Sequence, residues 1–185
     1  MMKKTALLIL GAIFIIAQAS AQTPTFSRGD KVLNLGVGFG STIYIGSYYK
    51  MQVPPVSASF EYGIVDGIFE KASVGVGGYL GFASYKWEYS AWGWKYSNII
   101  IAGRGTFHYP FVEKLDTYVG LLLGYDIVSS KEFGTPIGYD YSATSSGLAY
   151  SGFVGARYYF TEKFGVMAEL GYGITYLNIG VAFKL

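Results

Sequence analysis

From residue 32 onward the chain repeats by twos, and that period constrains its fold more than any other feature. Segments 32–43, 53–64, 72–86, 95–109, 117–129, 148–160, 165–173 and 175–184 are rich in Val, Ile, Tyr and Phe and are separated by turn residues, a strand pattern. In the fourth segment Ile99, Ile101, Phe107 and Tyr109 fall on one face, and Asn98, Arg104, Thr106 and His108 on the other. The second opposes Val56, Ala58, Phe60 and Tyr62 to Ser57, Ser59 and Glu61; the eighth opposes Leu177, Ile179, Val181 and Phe183 to Asn178 and Lys184. Helical periodicity is absent. The pattern predicts eight strands, each with one oily and one wet face.

Alternation does not say which face is inside, but composition does. Mean hydropathy is +0.32, although no transmembrane-helix candidate follows residue 21. A barrel in lipid exposes its apolar face and needs no long apolar run. The wet face of the first segment is Asn34, Gly36, Gly38 and Gly40, and that of the third includes Ser73, Gly75, Gly77, Tyr79 and Gly81. Glycine supplies no side chain to a hydrophobic core, whereas small residues suit the tight lumen of eight strands. The expected fold is therefore all-β, an eight-stranded antiparallel up-and-down transmembrane β-barrel, with a soluble lipocalin-like barrel as its rival.

The first 21 residues begin with Lys3 and Lys4, continue through an apolar run over 6–17 and end in Ala19, Ser20 and Ala21. This is the pattern of a secretory signal peptide cleaved after Ala21. Residues 22–31 are expected to be a short periplasmic segment and 32–185 the barrel domain. Without Lys3 and Lys4, twelve basic residues face twelve acidic ones, which removes the electrostatic basis for a nucleic-acid partner. The chain has no Cys, so no disulfide or lipidated cysteine holds it.

Expected connections alternate in length. Those centred on Val65-Asp66-Gly67, 112–116 and 161–163 are brief and read as periplasmic turns; 44–52, 87–94 and 131–147 read as extracellular loops. The fourth outer connection, near Ile174, is an exception, being a tight turn. Aromatic residues gather at strand ends, with Trp87, Trp92 and Trp94 toward the outer interface and Tyr109, Tyr158 and Phe160 toward the inner one, as in two aromatic girdles.

These features resemble the small outer-membrane barrels of the OmpA/OmpX-like and opacity-protein type, in the single-domain form common in Bacteroidetes. The resemblance covers the whole mature chain and implies a cell outer-membrane location surrounded by lipid. The last strand is similar to the signal by which the barrel-assembly machinery recognises such proteins, with Asn178, Gly180, Phe183 and Leu185 in the matching places. The sequence ends without the peptidoglycan-binding domain of full-length relatives, so the resemblance implies no cell-wall anchoring.

Alternation points Glu61, Arg104, Arg157 and Glu169 into the lumen, with Asp126 expected to join them near the outer end. Buried charges must be paired. One reading is a salt-bridge network that plugs the barrel; the other is a gate for water or small ions. His108, the single histidine, would need a nucleophile and an acid beside it for hydrolysis. None is placed there by pattern, and it reads as a satisfied interfacial histidine. No metal-ligand spacing and no cofactor motif emerge. The expectation is a monomeric, non-enzymatic scaffold or surface-interaction protein whose loops meet an unidentified surface ligand. A narrow passive pore is the second reading and an outer-membrane enzyme the third.

Overall fold

The computed structural model describes residues 25–44, 47–89, 92–134 and 146–185. The signal peptide and cleavage point expected over residues 1–21, and most of the loop expected over 131–147, lie outside these. Eight strands follow one another around a ring: β1 Lys31–Ser41, β2 Tyr49–Ile68, β3 Ala72–Tyr89, β4 Trp92–Val112, β5 Leu115–Phe133, β6 Gly147–Tyr159, β7 Phe164–Tyr172 and β8 Thr175–Lys184. Every strand pairs antiparallel with the next, and β1 pairs with β8 to close the barrel. Closure removes every edge from the body of the sheet.

The oily face points outward. Leu35, Phe60, Leu80, Ile101 and Val154 all lie on the outside, and Leu121 and Leu148 there are 72% and 69% exposed. Asn34, Glu61, Ser73, Arg104, His108 and Arg157 are buried in the lumen. A continuous apolar outer wall with a polar interior excludes the soluble rival.

Strand lengths are unequal, with β2 to β5 running 18 to 21 residues and β7 only nine. At ~3.4 Å per residue and a tilt of ~40°, β4 rises roughly 50 Å, about twice the height of a membrane barrel's apolar band. One flank of the barrel therefore projects well past the lipid at the end away from the termini. This changes two expected connections. The loop expected over 87–94 is largely hairpin, because Trp87 pairs with Trp94 and Tyr89 with Trp92. Likewise β2 begins within the loop expected over 44–52 and β5 runs on to Phe133.

At the terminal end the turns are short. Val65, Asp66 and Gly67 lie within an irregular end of β2, and the reversal falls at Phe69 and Glu70, both with positive φ. Residues 25–30 are not a separate segment but enter the barrel mouth. Gly29 N–H donates to Gly63 O and Gly63 N–H to Asp30 O, each at 2.9 Å. Lys184 closes the ring with a 2.7 Å ion pair to Asp30. Phe26 is thereby driven inward until it is 2% exposed.

Two neighbouring glycines test this packing. A methyl group on Gly77 would run into the Phe60 carbonyl oxygen and lie 2.9 Å from Glu61 Cα, whereas one on Gly78 meets nothing within 4 Å. Gly77→Ala is expected to destabilise the barrel by about 1–3 kcal/mol, as overpacking does. Gly78→Ala is expected to stay within about 0.5 kcal/mol of the parent. Urea unfolding in lipid vesicles measures both, and equal shifts would contradict the assigned faces.

Candidate functional site

All eight strands send a polar side chain into one network near the terminal end of the lumen. Arg157 on β6 is its centre. Its Nη1 donates to Asp116 Oδ2 at 2.9 Å, its Nε to Asn34 Oδ1 at 3.1 Å, and its Nη2 to Glu61 Oε2. Arg104 donates to Glu169 Oε1 at 2.8 Å and to Ser59 Oγ at 3.2 Å, and lies 3.9 Å from Glu61. Tyr118 OH also donates to Glu169 Oε1, at 2.8 Å. Asn178 reaches Glu169 Oε2 at 3.4 Å, and Ser73 donates to the Phe26 carbonyl at 2.8 Å. The two guanidinium groups also use aromatic faces, Arg157 over Tyr118 at 4.4 Å and Arg104 over Phe153 at 4.6 Å. Burying such charges costs several kcal/mol per ion unless partners surround them, as they do here.

Glu61, Arg104, Arg157 and Glu169 thus come together where alternation places them. Asp126 does not join them. It sits on the lumenal face but pairs with Asn98 Nδ2 at 2.7 Å. Its register partner Ile100 lies four residues from Arg104, which is ~13 Å of strand. An apolar layer of Tyr79, Ile100, Ala102, Leu122, Ala149, Phe153 and Ile174 fills the gap.

His108 also departs from expectation. Rather than an interfacial ring without an acid beside it, it is buried, with Nδ1 2.8 Å from Asp116 Oδ1 and Nε2 2.6 Å from Glu61 Oε1 and 2.9 Å from Thr106 Oγ1. Phe26 stacks on it at 4.1 Å. Only a ring with two N–H groups can donate to both carboxylates, and that charge state also balances three carboxylates against two guanidinium groups. Such a ring has no free lone pair with which to accept a proton. Asp116, expected in a turn, escaped notice because β5 starts earlier than its apolar run. It shares Tyr118's face two residues on, so extending the alternation backwards would have found it.

The lumen is closed at three levels. Phe26 covers the network from the terminal end, the network fills the section above, and the apolar layer seals it on the other side. A cavity of about 30 Å³ remains beside Arg104 and Glu169, room for about one water molecule. At the distal end Ala83, Tyr85, Tyr96 and Val128 form a further cluster, with Tyr44, Tyr49, Trp87 and Trp94 packed on it. The tryptophans therefore do not make an outer lipid girdle. Trp87 shares the lumenal face of Tyr85, Trp94 that of Tyr96, and Trp92 donates to Glu132 Oε1 at 2.5 Å. Unbroken register from Trp92 to Tyr109 fixes their parity. Tyr158 and Phe160 do face outward at the terminal end, in ring contact at 5.3 Å, and Tyr109 meets Phe111 at 4.9 Å.

With this geometry in hand, solved structures provide a comparison. The chain is similar to the N-terminal β-barrel domain of Pseudomonas aeruginosa OprF, with 16% identity and a TM-score of 0.51 over 86% of this chain and 100% of that one. It has the fold of an eight-stranded transmembrane β-barrel. A designed transmembrane β-barrel matches at 15% identity and a TM-score of 0.50, over 86% of this chain and 98% of its own. No protein-family model matches the chain, and neither does any curated protein. Among the described residues no group of three or more His, Cys, Asp or Glu is arranged to hold a metal ion.

Replacing Arg157 by Met leaves Glu61 and Asp116 buried without their main counter-charge, and a loss of about 3–5 kcal/mol is expected. Adding Glu61→Gln should recover part of that loss. Urea midpoints of the two single variants and the double variant measure the coupling, and simple additivity would contradict a shared network.

Proposed function

We propose that the protein is a non-enzymatic, monomeric barrel of the cell outer membrane, exported by a signal peptide cleaved after Ala21 and inserted by the barrel-assembly machinery. Its role is that of an envelope scaffold whose distal strands and loops face the exterior and carry any contact with a surface ligand. The observation that carries this reading is the lumen closed at three levels. A passage for ions needs a continuous wet path, and Phe26, the network and the apolar layer interrupt one. What remains available for function is the outer wall and the projecting flank. The likeness to a transmembrane barrel domain supports the membrane placement, and Asn178, Gly180, Phe183 and Leu185 support recognition of the last strand. Against an enzymatic role stands His108, which is sealed from either mouth and hydrogen-bonded at both nitrogens.

Planar-bilayer recording with purified protein tests the scaffold reading against the pore reading. No discrete openings are expected, from the parent or from Phe26→Ala. Openings that vanish in Arg104→Ala and Glu61→Ala would replace the scaffold with a gated pore. Fractionation to the outer membrane and heat-modifiable gel migration test the location, and recovery as a detergent-free monomer would refute it.

A further inference from the structure

Four lysines stand in one row on the outer face of the projecting flank. Lys50 on β2 pairs with Lys86 on β3, Lys86 with Lys95 on β4, and Lys95 with Lys131 on β5. The register of β3, β4 and β5 is unbroken here, so Lys86, Lys95 and Lys131 share the outward face of Phe82, Ile99 and Ile127. Lys50 joins them through its pairing with Lys86.

Like charges directly opposite each other on neighbouring strands are destabilising, and this row contains three such pairs in succession. Among the described residues one carboxylate serves it. Glu88 lies 2.9 Å from Lys86 and 3.9 Å from Lys50, while Lys86 also sits over the Phe133 ring at 4.4 Å. Lys95 and Lys131 have no carboxylate partner among the described residues. Protection of a free sheet edge accounts for Lys50 and Lys131, since β1 leaves β2 at Val56 and β6 leaves β5 at Asp126. It does not account for Lys86 and Lys95, which lie on interior strands.

The height of the row identifies its counter-ion. Below it the same face carries Ser84, Ser97 and Ser129, with Val53 of β2 beside Ser84, and below those Phe82, Ile99 and Ile127, the last outward apolar residues of β3, β4 and β5 before the lysines. Lys86, Lys95 and Lys131 each stand four residues above that apolar residue of their own strand, roughly 10 Å along the membrane normal after tilt. Because register partners on strands tilted by ~40° step ~3 Å in height, the row slants by about 9 Å through the headgroup region. Strands ~4.8 Å apart spread the four ammonium groups over about 14 Å, a width that spans more than one phosphate.

The geometry points to a binding strip for phosphorylated lipid headgroups, formed by Lys50, Lys86, Lys95 and Lys131 on the outer wall of β2 to β5. Phosphates of the surrounding leaflet supply the charge that the described residues lack, and the strip fixes the depth and rotational setting of the projecting flank. It rests on the membrane placement proposed above, but not on the role of the loops.

Native mass spectrometry of the detergent-purified protein tests the strip, with phosphatidic acid, phosphatidylcholine and inorganic phosphate as separate probes. The parent is expected to retain phosphatidic acid at least about tenfold over phosphatidylcholine at low salt, with the preference falling as salt rises. Changing all four lysines to Gln should abolish the preference, and changing all four to Arg should keep it. If the fourfold Gln variant does not fold, as judged by heat-modifiable migration, the Lys95→Gln/Lys131→Gln pair should still lower it severalfold. Equal retention of phosphatidic acid by parent and Gln variants overturns the proposal, as does full displacement by an equal concentration of inorganic phosphate. Labelling of Lys95→Cys on whole cells by a membrane-impermeant maleimide reports the orientation independently, so an error there is distinguishable from a failure of lipid binding.

Discussion

Eight strands in a closed ring leave an interior so narrow that inward side chains must satisfy one another. In this barrel Arg157 imposes that condition. It holds its register partner Asp116 on neighbouring β5 and reaches across the lumen to Glu61 and Asn34 on β2 and β1, so its partners meet only if β1, β2, β5 and β6 are in one register. A one-residue slip would turn any of these groups toward lipid. Because lipid rather than water lies outside, burial of apolar surface does not choose among inward arrangements as it does in a soluble core. Charge pairing does, and it is directional where apolar packing is not.

Phe26 belongs to the same constraint. A buried ion network gains strength from low dielectric only while water is kept out, and the terminal mouth would otherwise admit it. The stacking of Phe26 on His108 and its carbonyl's bond from Ser73 close that mouth with a segment that is not itself a strand. The apolar layer does the same from the distal side. Filling, pairing and sealing are thus one arrangement.

Much of this fold was legible because alternation in a strand is insensitive to context. Glu61, Arg104, Arg157 and Glu169 lie on the inner face that period two assigns them, as do Asn34 and Gly36. What escaped has two physical causes. Asp116 and the tryptophan hairpin were hidden because strands here run past the apolar band, and hydropathy marks where the lipid ends rather than where pairing ends. Phe26 was hidden because residues 25–30 enter the barrel through backbone hydrogen bonds, which leave no periodic trace. Asp126 shows the limit of parity alone, since a shared face does not bring together groups ~13 Å apart along a strand.

The distal rim joins these points. There the tryptophans turn inward and cap the lumen, while outward tyrosines are found at Tyr125, Tyr150, Tyr172 and Tyr176, on the shorter strands β6 to β8 and the adjoining face of β5. The long strands meet the same interface with serines and then lysines. Aromatic rings and ammonium groups are both stable at headgroup depth, the first through amphipathic packing and the second through anionic lipid. They are not interchangeable, because rings tolerate any headgroup while lysines require a negative one. A barrel with tyrosines on one flank and a lysine row on the other is therefore held evenly in depth but unevenly in charge. Its projecting flank is the side that anionic lipid will gather around.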